Sequence, residues 1–355
     1  MEKVQRIIEH FSIEGEVLSI KPFGGGHVNR TFLVETTKRK YVLQKINTFA
    51  FNRPKELMEN IIKVTKCLEK QNIETMTFIP TKAGGYYYQE QEVYRMYEFV
   101  DNVVAFEKIP NALVFKQAGF AYGDFINRLK EFNANDLTET IKDFHNTPKR
   151  FNDFKQAVKE DASGRTKTCL EEINFVLERE NTLSVAVTEL TCGKLPVRVT
   201  HNDTKLNNIL IDEKTLKPRM VIDLDTVMAG SLIYDFGDAI RFGASTADED
   251  EKDLSKVHFD MNMFRAFSEG FCCALKDVLT DREWELLSYG AYLMTIECGM
   301  RFLADYIQGD VYFSTAYPEH NLIRARTQLK LAKEMQENSD KANEFIKNLK
   351  KELKA

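Results

Sequence analysis

Residues 199–226 read VTHNDTKLNNILIDEKTLKPRMVIDLDT, and no other stretch constrains the chain as tightly. Asp203 stands two residues after His201, and Asn208 five residues after Asp203. Asp223 ends the apolar run Met220, Val221, Ile222, twenty residues beyond Asp203. The segments 209–211 and 219–222, with turn chemistry between them over 212–217, predict strand, turn, strand. Phosphoryl transfer needs one carboxylate to take a hydroxyl proton, and an amide oxygen with a second carboxylate to hold Mg²⁺. A loop of the form H-x-D-x-x-x-x-N, a short hairpin and a metal-binding Asp write that set linearly.

The rest of the chain is consistent with an enzyme of that kind. At 355 residues and 41.0 kDa it is long enough for two lobes with a sizeable core. A net charge of -5 and a pI near 5.8 argue against nucleic acid as the main partner, because phosphate binding calls for a basic face. No stretch reads as a signal peptide or a spanning helix, so no membrane is expected. Val4, Ile7, Ile8 and Phe11 lie at helical spacing and predict a surface-docked helix. The six cysteines show no C-x-x-C pairing, which suits free thiols in the cytoplasm.

Strands are predicted at 17–20, 31–34 and 41–45, with Gly24-Gly25-Gly26 between the first two. A helix follows over 54–70, with Pro54 in its first turn and Leu57, Ile61, Val64 and Leu68 on one face. Further strands are expected at 76–80, 85–89 and 92–99. From residue 114 the pattern becomes helical, with helices expected at 115–129, 137–144, 164–180, 234–242, 261–275, 281–305 and 324–353. Gly119 and Gly123, four apart, allow close helix packing. The expected class is α+β and two-lobed, protein-kinase-like, with an antiparallel-sheet N-lobe (1–100) carrying one main helix and a larger, mostly helical C-lobe (101–355).

The candidate residues follow from the chemistry. Asp203 is the expected general base. Asn208 and Asp223 are the expected Mg²⁺ ligands, with Asp225 a further carboxylate on the same side of an extended segment. Lys205 is a cation able to neutralise the transferring phosphoryl group. Gly24, Gly25 and Gly26 are expected to bring backbone N–H groups towards the phosphates of ATP, although three glycines in a hairpin also suit a plain turn. In the strand YVLQK (41–45), Val42 with Gln44 and Leu43 with Lys45 both fit an apolar residue followed by a phosphate-binding one; Lys45 is the chemically sensible cation. Tyr97, Glu98 and Phe99 are expected at the adenine-binding hinge. Asp235-Phe236-Gly237 spells a magnesium motif, yet it lies thirty-two residues past Asp203 and not at a strand end. Asp235 is therefore expected to start a helix and bond back to the catalytic loop.

At these residues the chain resembles the aminoglycoside phosphotransferase and choline kinase superfamily, in which the loop is followed by I-D-x-[DE]. Within it, the blocks FGGGHVNRTFLV (23–34), YVLQKIN (41–47), HNTPKRF (145–151), ECGMRFLADYIQGDVYF (297–313) and HNLIRARTQ (320–328) are similar to the N-acetylhexosamine 1-kinases. That resemblance implies transfer of the ATP γ-phosphate to the anomeric hydroxyl of N-acetylglucosamine or N-acetylgalactosamine. It also implies that His27, Arg301 and Tyr312 contact the sugar beside Asp203. Read without it, Arg301 is better explained by an ion pair with Asp305, while His145 and Asn146 suit helix capping as well as shaping an insert that closes over the sugar. Alternative acceptors on the same fold are an aminoglycoside, choline, homoserine or another small alcohol; a catalytically silent binding protein is the third reading. An amine-bearing acceptor calls for acidic groups, whereas 297–328 supplies Arg301, Tyr312, His320, Arg324 and Arg326.

Overall fold

The computed structural model describes residues 2–24 and 29–355, so the expectations placed on Gly25, Gly26 and His27 lie outside the described residues. The chain forms two compact units. The first comprises Met1–Ala105, Asn135–Lys142 and Ile209–Met228; the second comprises Phe106–Ala134, Asp143–Asn208 and Ala229–Ala355. The sequence suggested one boundary, at residue 100. The chain instead re-enters the first unit, because the hairpin after Asn208 pairs with residues 103–104.

The first unit contains α1 (Glu2–Ile8), β1 (Val17–Pro22), β2 (Arg30–Thr36), β3 (Lys40–Ile46), α2 (Pro54–Glu69), β4 (Tyr88–Gln89) and β5 (Val93–Glu98). Its antiparallel sheet has the order β1-β2-β3-β5-β4. Strand alternation gives this sheet two faces. Tyr41 and Leu43 share one face with Phe32, Val34, Tyr94 and Met96, and pack with Ile7, Ile8, Phe11 and Ile79. Val42 and Gln44 lie on the other face, in register with Tyr97 and Arg95. A second sheet joins β6 (Val103–Val104), β8 (Ile209–Asp212) and β9 (Pro218–Val221). The expected strand over 76–80 is absent. That segment runs beside β5 through single bonds, Ile79 N to Met96 O (2.8 Å) and Glu98 N to Thr77 O (2.9 Å), ending at Pro80, which has no N–H to continue a ladder. The strand expected over 85–89 shrinks to Tyr88–Gln89, since Gly84 and Gly85 take positive φ.

The second unit is mainly helical: α3 (Ala112–Arg128), α4 (Thr147–Glu160), α5 (Leu170–Leu177), α6 (Glu180–Leu183), α7 (Val185–Thr191), α8 (Leu232–Gly243), α9 (Met261–Leu275), α10 (Asp281–Gln308), α11 (His320–Glu337) and α12 (Ser339–Lys354). Its short strands are β7 (Arg198–Thr200) and β10 (Met228–Gly230). The Gly119 and Gly123 spacing has the packing consequence expected of it. A methyl at either position would press into the backbone oxygens of Phe267 or Phe271, so α3 and α9 touch backbone to backbone. No helix forms over 137–144; α4 starts later, where Asn146 caps the Lys149 N–H and Pro148 sits in the first turn. The helix expected over 164–180 is reduced to Leu170–Leu177, preceded by a short 3₁₀ turn. The helix expected over 324–353 breaks at Asn338 into α11 and α12. The six cysteines are free thiols. No helix among the described residues is long and apolar enough to cross a membrane. The α+β class with an antiparallel-sheet N-terminal part and a helical C-terminal part is the one observed.

Candidate active site

In the second unit the loop after β7 is held from below by α8. Asp235, in the first turn of α8 and fully buried, accepts the backbone N–H of His201 (2.8 Å) and of Asn202 (2.7 Å). This is the structural role expected of the Asp in DFG. The two bonds hold Asn202 in a left-handed conformation (φ 64°), uncommon for a residue other than glycine. Burial pushes the Asp235 carboxyl up to about 6, against the pull of His201 and of the two amides. Thr204 adds bonds from its N–H to Asp238 (3.1 Å) and from its hydroxyl to the Asp235 carbonyl (2.6 Å). Burial opposes ionisation of Asp238, but Arg241 and Lys205 outweigh it and keep its carboxyl low.

Asp203 emerges from this support with its side chain 31% exposed. Its Oδ1 is 3.0 Å from Lys205 Nζ, and its Oδ2 accepts from Asn208 Nδ2 at 3.2 Å. Asn208 Nδ2 also donates to the Asp203 carbonyl (2.9 Å), so the amide oxygen is the atom left for a cation. Tyr122 from α3 donates to the Lys205 carbonyl (2.7 Å) and fixes the far side of the loop. The Asp203 carboxylate raises the Lys205 ammonium above its usual range against the cost of desolvation. Three of the residues singled out by sequence, Asp203, Lys205 and Asn208, therefore form one hydrogen-bonded group.

In the first unit Asp223 follows β9 in a left-handed conformation (φ 58°, ψ 55°) and opens the 3₁₀ turn Leu224–Thr226. Asp225, 4% exposed, pairs with the guanidinium of Arg95, 1% exposed, and its Oδ2 accepts from Asn29 Nδ2 (2.7 Å). Both Asp225 oxygens are thus committed to the protein, which departs from its expected part as a free metal ligand. Gln44 faces the same way: its Oε1 accepts from Arg95 Nε (3.0 Å) and Nη2 (2.8 Å). Lys45 is turned to the opposite face, where its Nζ meets Glu92 at 2.6 Å. With Lys3 and Tyr94, Lys45 holds the Glu92 carboxyl down at about 2. The structure does not bring Lys45 to Asp223 or Asp225, correcting the choice of Lys45 over Gln44 for this face.

At the expected hinge, the N–H of Glu98 is taken by Thr77 and that of Phe99 by Lys40 O (3.0 Å). Glu98 itself pairs with Arg39 (2.8 Å), and Tyr97 packs edge-on against Phe78. Those two amides are therefore bonded to backbone carbonyls of the same unit. Gly24 takes φ 73°, with no atom of the described residues within 4 Å of where a Cβ would stand, a turn conformation that glycine adopts without strain.

The sugar-contact candidates Arg301 and Tyr312 come together within the second unit. Arg301 on α10 lies against the rings of Phe144 (5.7 Å), Tyr312 (5.9 Å) and Phe313 (5.5 Å). Asp305 does not pair with it. That carboxylate instead accepts the backbone N–H groups of Val311 (3.0 Å), Tyr312 (2.8 Å) and Phe313 (2.9 Å), and the Asn321 amide (2.9 Å). Asp305 thereby fixes the loop that presents the Tyr312 ring, which is 58% exposed. Arg150 bonds weakly to the Phe144 carbonyl (3.4 Å) and keeps its buried Nε without a partner. Burial lowers its pKa, and the nearby Arg301 charge lowers it further. His145 meets Glu297 (2.9 Å), whose other oxygen takes Thr147. Arg95, Arg150, Phe144 and Phe313 were missed in the sequence. For Arg95 the signal was available: alternation along β5 sets it on the face of Tyr97.

Oxygen donors of the Asn208 and Asp223 type are those Mg²⁺ takes, usually with substrate phosphates completing its shell. The donor chemistry therefore fits that ion.

Comparison with known proteins identifies the family and the fold. Residues 19–261 match the phosphotransferase enzyme family. Among solved structures, a microcompartment-associated aminopropanol kinase is 16% identical, with a TM-score of 0.67 over 96% of this chain and 98% of that one. The choline kinase of Cryptosporidium parvum Iowa II is 14% identical, with a TM-score of 0.60 over 96% and 97%. Spectinomycin phosphotransferase in complex with ADP and spectinomycin is 12% identical, with a TM-score of 0.60 over 94% and 98%. At such identities these three establish a common kinase-like fold. The family match spans β1 to the start of α9 and includes Asp203, Asn208 and Asp223, and the chain belongs to the phosphotransferase enzyme family.

Proposed function

We propose that the chain transfers the γ-phosphate of ATP to the anomeric hydroxyl of an N-acetylhexosamine, N-acetylglucosamine or N-acetylgalactosamine. The observation that carries the choice of acceptor is the side-chain cluster around Arg301. There a guanidinium ringed by Phe144, Tyr312 and Phe313 stands near a second guanidinium, Arg150. Two cations and an exposed aromatic face suit a neutral, oxygen-rich ring with an acyl carbonyl, and repel an ammonium group.

In this reading Asp203 accepts the proton of the acceptor hydroxyl as its oxygen attacks phosphorus, and ADP leaves. Lys205, 3.0 Å from Asp203, supplies positive charge as charge develops on the phosphoryl oxygens. Asp235 keeps the loop in position and touches no substrate. Asn208 and Asp223 would hold magnesium, which when bound offsets the negative charge of the nucleotide phosphates. Arg301 donates to sugar oxygens, Tyr312 lends a flat wall, and His27 and Gly24 to Gly26 retain the roles that the resemblance and the glycine run imply.

The second reading keeps the kinase and changes the acceptor to an amine-bearing alcohol, as the names of the aminopropanol kinase, choline kinase and spectinomycin phosphotransferase structures suggest. The discriminating assay is ADP release with Mg·ATP over both N-acetylhexosamines, glucose, galactose, kanamycin, choline and aminopropanol. Selective turnover of an N-acetylhexosamine to a product without a reducing end is expected. Arg301→Ala should then raise the sugar KM about tenfold, the worth of one good hydrogen bond. Turnover confined to an amine would discard the sugar reading, and an Arg301→Ala enzyme with unchanged sugar kinetics would discard the Arg301 cluster as the acceptor site.

A further inference from the structure

The kinase pattern places a phosphate-binding lysine on the third strand of the small sheet. Here the residue on the relevant face of β3 is Gln44, an uncharged amide, and Lys45 is engaged elsewhere by Glu92. A fixed positive charge nevertheless stands on that face, one strand over. Arg95 on β5 is directly opposite Gln44 in register, and two of its nitrogens bond to Gln44 Oε1. Gln44 Nε2 in turn donates to Thr31 Oγ1 (3.2 Å), which fixes the amide with its oxygen towards Arg95. The remaining guanidinium nitrogen bonds to Asp225.

We propose that Arg95 is a positioning residue that replaces the β3 lysine: from β5, and through Asp225, it holds the turn that carries Asp223. The inference rests on the functional reading above, in which Asp223 serves magnesium. Arg95 is 1% exposed and so has no direct access to a nucleotide; its effect passes through Asp225. Asp223 needs such support, since a non-glycine residue in a left-handed conformation persists only when its surroundings impose it. Those surroundings are visible on both sides of the turn. Arg95 and Asn29 take the two oxygens of Asp225, with Asn29 Oδ1 anchored by the Asn47 N–H (3.0 Å). Beyond the turn, Asn60 of α2 donates to the Val227 carbonyl (3.1 Å). Burial works against the Arg95 charge, but the Asp225 carboxylate outweighs it and keeps the guanidinium protonated. A lysine at position 44 beside Arg95 would place two cations together, which accounts for an amide there.

The test measures binding of ADP to the full chain by calorimetry, with and without Mn²⁺ as the metal probe, and the Tm of every variant. No acceptor is present, so an error in the assigned acceptor leaves the result untouched. Arg95→Met should weaken Mn·ADP about 30-fold while metal-free ADP changes less than threefold. Arg95→Lys, which keeps the charge and loses the fork, should fall between. The double variant Gln44→Lys/Arg95→Met, with the charge back on β3, should recover to within threefold of wild type. If Arg95→Met does not fold, Arg95→Lys and Asp225→Asn carry the test, each with about tenfold weaker Mn·ADP. Wild-type Mn·ADP affinity in a folded Arg95 variant, with only Tm lowered, overturns the proposal. So does an equal loss with and without metal. A wild-type chain that does not bind Mn·ADP removes the kinase reading, and this inference with it.

Discussion

Asp235→Asn offers a direct test of how the loop that carries Asp203 is supported. The carboxyl is fully buried and pushed from 3.8 to about 6, a difference worth about 3 kcal/mol between the charged and neutral forms. Because the folded-state value is raised, this contribution to stability is fully present below pH 3.8 and is lost as pH rises through 6. About 2 kcal/mol of the loss falls between pH 4.5 and 8. An asparagine does not titrate, so subtracting the stability of Asp235→Asn from that of wild type cancels the other groups. That difference should fall by about 2 kcal/mol over the same range. At pH 8 the variant avoids the buried charge, about 3 kcal/mol, but its amide NH₂ faces one of the two N–H groups at a cost of about 1–3 kcal/mol. It should therefore be as stable as wild type, or more stable by up to about 2 kcal/mol. Activity should move the other way. With one of the bonds to His201 or Asn202 lost, a shift of Asp203 by about 1 Å would cost on the order of 10²-fold in kcat. The assay is urea unfolding at pH 4.5, 6 and 8, paired with ADP release at pH 8. A stability difference that stays constant to within about 0.5 kcal/mol across that pH range would refute the reasoning, as would an Asp235→Asn enzyme with full kcat.

Two other substitutions probe the remaining parts. Asp203→Asn should lower kcat by at least about 10³-fold, at the upper part of the general-base range, while calorimetry shows ATP affinity within about threefold of wild type; near-normal kcat would remove Asp203 as the base. Gly119→Ala should cost about 1–3 kcal/mol in urea unfolding, since its methyl meets the Phe267 carbonyl on α9; an unchanged midpoint would mean that α3 and α9 part without penalty.

The spacing of Asp203, Asn208 and Asp223, the Gly119 and Gly123 pair, and the main helix Pro54–Glu69 were legible in the chain because each depends on neighbours in sequence. A loop motif, a helix face and a capping residue are local, so short-range pattern suffices. Even α4 announced itself through Asn146 and Pro148, though the apolar residues of 137–144 drew the expected helix to the wrong place. The choice between Gln44 and Lys45 was of another kind. Period-two alternation gives a strand two faces but does not say which one is turned to the chemistry. That depended on β5 pairing with β3 across some fifty residues, and on Asp225, 130 residues from Arg95, meeting that guanidinium. Asp305 makes the same point. Its helical spacing from Arg301 suggested an ion pair, yet three backbone amides of 311–313 satisfy the buried carboxylate and leave the guanidinium to the aromatic rings. Sequence thus determined which chemical groups the chain owns and the local elements that carry them. The tertiary structure decided which of those groups meet, because burial obliges each charge to find whichever partner the fold brings near.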